Sequence, residues 1–102
     1  MAIKWGRAIR VPPGLWGKAG IDDQGNWHIL YAEKPENIAN PNSVGHDHYF
    51  KRGGKWHVQI RTSRHALLAD KKGHTYEPNT PFDSIPPEIL DDLFRQLAVG
   101  LD

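Results

Sequence analysis

"GHDHYFKRGGKWHV", residues 45–58, decides how this chain is read. Two adjacent glycines, Gly53 and Gly54, separate two runs rich in aromatic and histidine residues. A two-residue hairpin turn needs positive φ at both central positions, which glycine adopts without a Cβ clash. Such a turn sets Arg52 opposite Lys55, Phe50 opposite His57 and His48 opposite Gln59. A four-residue loop from Arg52 to Lys55 gives the same pairing. Because side chains alternate along a strand, one face then carries His46, His48, Phe50, His57, Gln59 and Arg61. The other carries Asp47, Tyr49, Lys51, Trp56, Val58 and Ile60. A three-residue loop slips the register and swaps these partners. The even turn is preferred, because it gathers Tyr49, Trp56, Val58 and Ile60 into one core face and leaves the histidines with Arg61 on the other.

Outward from the hairpin, ten glycines and eight prolines favour short strands over long helices. Residues 3–11 predict a first strand, ended by Pro12-Pro13-Gly14, since proline cannot donate to a ladder. Residues 15–22 read as a second short strand broken by glycines. Residues 22–26, "DDQGN", predict a turn, with Asp and Asn tolerant of turn conformations and Gly25 at positive φ. Residues 27–34 form a strand with Trp27, Ile29 and Tyr31 on one face and His28, Leu30 and Ala32 on the other, which suits burial on both sides. Residues 35–45 read as a loop with at most one helical turn. After the hairpin, a turn at residues 70–73 and a short strand at 74–77 are expected. The C-terminal "PPEILDDLFRQLAVGL" has apolar residues at 89, 90, 93, 94, 97 and 98, one face at helical period, with acids in its first half and Gly100 as a stop.

These elements predict a single α+β domain spanning residues 1–102. A twisted, mainly antiparallel sheet of about five strands is packed by one C-terminal amphipathic helix; an open barrel closed by that helix is the alternative. The expected core is Ile3, Trp5, Ile9, Trp27, Ile29, Tyr31, Tyr49, Trp56, Val58, Ile60, Ile89, Leu90, Leu93, Phe94 and Leu97.

Composition narrows the chemistry. The absence of cysteine excludes disulfides and thiolate metal sites. The first residues lack the apolar core of a signal peptide, and no run approaches the roughly 20 apolar residues that span a bilayer. The expectation is a soluble cytoplasmic protein with no membrane partner. Net charge is +1 but uneven. Residues 1–75 hold twelve Lys/Arg against six Asp/Glu, a balance of +6, whereas residues 76–102 hold Arg95 against six acids. Either the two parts pair with each other in the fold, or one face attracts anions.

Three chemistries suit the histidine face. His46, His48 and His57 are a weak candidate set for a metal, since three imidazoles bind Zn²⁺ with an open fourth position; neither a metal nor any other cofactor is expected. His48 and His57 with Arg61 form an acid–base set for metal-independent RNA cleavage, with His65 as an alternative partner of His57. Lys51, Arg52, Lys55, Arg61, Arg64, Lys71 and Lys72 form a set for binding phosphates, with aromatic rings as stacking surfaces. The leading expectation is a small non-enzymatic binding or adaptor protein that engages nucleic acid or another acidic surface. A small ribonuclease is the second reading, and a protein–protein module or homodimer the third.

Overall fold

A computed structural model describes residues 2–11, 14–39, 46–60 and 87–101, with the side chains of residues 59 and 60 excepted. Strands β1 (Ile3–Trp5), β2 (Ile9–Val11), β3 (Leu15–Asp22), β4 (Trp27–Ala32), β5 (His46–Arg52) and β6 (Lys55–Ile60) form one antiparallel sheet. Its order is β1-β3-β4-β5-β6, with β2 also pairing β3. Helix α1 (Glu36–Ala39) follows β4, and helix α2 (Pro87–Leu97), continued by a 3-10 turn at Ala98–Gly100, packs on the sheet. This is the expected α+β architecture, with six strands among the described residues. The expected turn at 70–73 and strand at 74–77 lie outside them.

The hairpin has the even turn. Gly53 and Gly54 adopt φ of 59° and 77°, and Arg52 pairs Lys55, Phe50 pairs His57 and His48 pairs Gln59. Two consecutive positive φ values match the right-handed twist of the strands that the turn joins. Two other segments differ from expectation. The span 3–11 is two strands, which pair successive lengths of β3: Ile3–Trp5 with Gly20–Asp22, then Ile9–Val11 with Leu15–Gly17. β3 is one unbroken eight-residue strand, and its glycines make room instead of ending it. A Cβ on Gly17 would lie 3.0 Å from Leu97 Cδ1, and one on Gly20 would lie 2.6 Å from Trp5 Cε3.

Alternation now sorts the sheet into two faces. On the face that α2 covers, Leu15, Ala19, Ile29, Tyr31, Tyr49, Trp56 and Val58 are buried together with Leu90, Leu93, Phe94 and Leu97. Each fully buried side chain of this size contributes about 1.5–3 kcal/mol. Trp27 stacks on Phe94 with centroids 4.3 Å apart and planes 2° from parallel. Ile89 is 37% exposed, because residues 90, 93, 94 and 97 make the contact stripe and position 89 falls on its flank. Trp5, Ile9 and Trp27 are only partly buried. Val11, Leu15, Ala19, Leu30, Ala32 and Ile38 are buried too, although the expected core omits them; Leu30 and Ala32 follow the expected burial of both faces of residues 27–34.

The acidic C-terminal helix and the basic hairpin meet at Asp91. Its Oδ1 accepts hydrogen bonds from Lys51 Nζ and Trp56 Nε1, both at 3.0 Å. Burial works to raise this carboxyl, but the hydrogen bonds from Lys51 and Trp56 and the nearby charges outweigh it and hold Asp91 below its ordinary value. Lys51 also stands 5.0 Å over the Trp27 ring. The two oppositely charged parts of the chain therefore pair at this point.

Candidate functional site

The opposite face of the sheet collects polar chemistry around β3, β4 and β5. The β3–β4 turn is built by Asp22: its Oδ1 accepts the backbone N–H groups of Gln24 and Asn26, each at 2.9 Å, while Gly25 supplies φ of 80°. This Asx-type closure frees Oδ2 to point back along the strand. There it accepts a hydrogen bond from His28 Nε2 at 2.9 Å. Asp22 and His28 are 6% and 2% exposed. The His28 hydrogen bond, with the backbone donors of Asn26 and Gln24, holds the Asp22 carboxyl well below the usual carboxylate range despite burial.

Register extends the chain of contacts. β4 and β5 pair His28 with Phe50 and Leu30 with His48, so the two histidines are diagonal neighbours on one face. His28 Nδ1 and His48 Nε2 lie 2.8 Å apart, which requires one proton between them. The carboxylate of Asp22 only accepts, so His28 carries its proton on Nε2. When His28 is neutral, its Nδ1 holds a lone pair, and His48 must donate to it from Nε2. His48 then keeps a lone pair on Nδ1. Asp22, His28 and His48 form a hydrogen-bond relay whose donors and acceptors run in one direction.

Aromatic rings wall the relay. Trp5 makes T-shaped contacts with His28 and His48, at centroid distances of 6.1 and 5.7 Å. Phe50 lies 5.8 Å from His48 and stacks on His57 at 5.1 Å, with planes 8° from parallel. The Arg52 guanidinium stands 5.1 Å over the Phe50 ring. Lys18 sits 5.4 Å from the Trp5 ring, and burial pushes its ammonium below the ordinary lysine value.

The residues singled out in the sequence separate into four groups. His48, His57, Arg52 and Lys55 share the histidine face or its tip, with Phe50 between the two histidines. Lys51 points to the helix face, where Asp91 engages it. His46 is buried at the far end of the histidine face, where its Nδ1 donates to the Asn37 carbonyl of α1 at 2.9 Å. Among the described residues, no three of His, Asp and Glu converge as a metal site. Arg61, Arg64, His65, Lys71 and Lys72 lie outside the described residues.

Asp22, His28, Trp5 and Lys18 were missed as site residues. Face alternation placed His28 correctly, and "DDQGN" marked Asp22 as a turn former. No local signal gives the β4–β5 register, which alone brings His28 to His48. Among the described residues, no helix is long and apolar enough to cross a membrane. Comparison with protein-family models, curated proteins and solved structures found no match to this chain.

Proposed function

We propose that this protein binds single-stranded nucleic acid on the histidine face of the β5–β6 hairpin. The observation that carries the reading is the half-exposed Phe50–His57 stack, with the Arg52 guanidinium over Phe50 and the exposed Lys55 opposite Arg52. Every base has a π-face, so an aromatic platform accepts bases with little regard to sequence, and each stacked base contributes about 1–3 kcal/mol. Arg52 and Lys55 at the hairpin tip supply cations for the phosphates beside the stacked bases. Lys51, tied to Asp91, fixes the hairpin to α2 instead of meeting the ligand.

The test is fluorescence anisotropy with a labelled single strand across a salt series. Binding should weaken steeply with salt. Arg52→Ala with Lys55→Ala should lower the magnitude of the log–log slope by about 1.4, since each single-strand phosphate contact contributes roughly 0.7. Phe50→Ala should weaken binding at every salt concentration. Affinity that stays constant between low and high salt, or is unchanged in the double variant, would contradict the reading.

A further inference from the structure

The aromatic surface of the hairpin does not end at Phe50. Register places His57, Phe50, His28, Gly20 and Trp5 in one cross-strand row, on β6, β5, β4, β3 and β1 in turn. The four side chains of this row share the histidine face, and Gly20 leaves the space that Trp5 fills. The His28 and His48 rings each contact both Trp5 and Phe50, at centroid distances between 5.7 and 6.1 Å. The hydrogen bonds that link Asp22, His28 and His48 fix these two rings, and so set Trp5 at a constant distance from Phe50. Trp5 is half-buried, as Phe50 and His57 are.

Lys18 supplies a second observation. It is the neighbour of Gly20 on the same face of β3, and its ammonium stands 5.4 Å from the centre of the Trp5 ring. Burial pushes that ammonium below the ordinary lysine value, and no carboxylate among the described residues pairs with it. A partly desolvated cation without an anion is costly, and the indole offsets only part of that cost. Asp22, the carboxylate in this part of the face, is already engaged by His28 and by the backbone N–H groups of Gln24 and Asn26.

From this geometry we infer that Trp5 and Lys18 form a second nucleotide subsite, with a base against the exposed part of the Trp5 indole and its phosphate on the Lys18 ammonium. The inference rests on the binding reading above. One single strand crosses the sheet from the β5–β6 tip, over Phe50, to β1. Charge favours this occupant, since Lys18, Arg52 and Lys55 all present cations along the path, each beside an aromatic ring or at the tip.

The experiment uses the full chain and a labelled oligothymidylate long enough to reach both subsites. In anisotropy across a salt series, Lys18→Ala should lower the magnitude of the log–log slope by about 0.7, in addition to the change from Arg52→Ala with Lys55→Ala. Lys18→Arg should restore the slope. Trp5→Leu should weaken binding about tenfold. Because Trp5 packs over Gly20, its loss can disturb the sheet, so a cross-linking measurement on wild-type protein accompanies it. With 5-iodouracil placed at successive positions of the strand, irradiation should join the strand to Trp5 as well as to Phe50 or His57, from different positions.

A slope unchanged in Lys18→Ala, with cross-links confined to the hairpin, overturns the second subsite and leaves the hairpin reading standing. Failure of the wild-type protein to bind the strand removes both.

Discussion

Gly20 shapes the histidine face from beneath. It pairs with Trp5 on one side and His28 on the other, and the Trp5 and Ile3 side chains occupy the space where a side chain would begin. A Cβ there would lie 2.6 Å from Trp5 Cε3 and 2.8 Å from Ile3 Cγ2. An indole has no flexible end with which to give way, so Gly20→Ala should lift Trp5 off His28 and His48. The expected cost is about 1–3 kcal/mol in chemical denaturation, together with a changed near-ultraviolet circular dichroism spectrum. An unaltered spectrum with wild-type stability would mean that Trp5 does not lie over Gly20. The sequence reading took this glycine as a strand breaker, because composition tells that a side chain is missing but not what fills its place.

At the scale of elements, the β3–β4 turn and the β4–β5 strand pair share one carboxylate. Asp22 closes the turn through Oδ1 and holds His28 through Oδ2. Its folded pKa is depressed relative to an ordinary aspartate near 3.9, so its contribution is fully present above that pH. The contribution is lost as pH falls below about 4 toward the folded value. Wild-type stability should therefore fall on acidification below about pH 4, and Asp22→Asn should be less stable at pH 7 with an acid limb shallower by about one proton. Equal limbs in denaturant titrations would show that Asp22 is not ionised in this contact. The hairpin was legible because Gly53-Gly54 and the flanking alternation fix register within fourteen residues. The pairing of β4 with β5 crosses a long connection, so no local pattern specifies that His28 meets Phe50. The split of residues 3–11 into two strands was equally hidden, since it reflects how β3 receives them.

The whole molecule is a sheet with two unlike faces. One carries α2, the Trp27–Phe94 stack and the Lys51–Asp91 pair, which joins the basic hairpin to the acidic C-terminal helix. The other carries the Asp22–His28–His48 relay, Trp5 and the Phe50–His57 stack. Net charge near zero thus conceals a separation in which Lys51 is used within the fold, while Arg52 and Lys55 are exposed at the tip. The division between faces follows from strand parity, which is why the sequence located the histidine face but not the carboxylate that organises it. The direction of the relay is the property that organises this face, and long-range ¹H–¹⁵N correlation NMR of histidine-labelled full chain at neutral pH reads it directly. His28 and His48 should both carry their proton on Nε2 and show an unprotonated Nδ1; a neutral His48 protonated on Nδ1, or two rings averaging freely between tautomers, would contradict the relay.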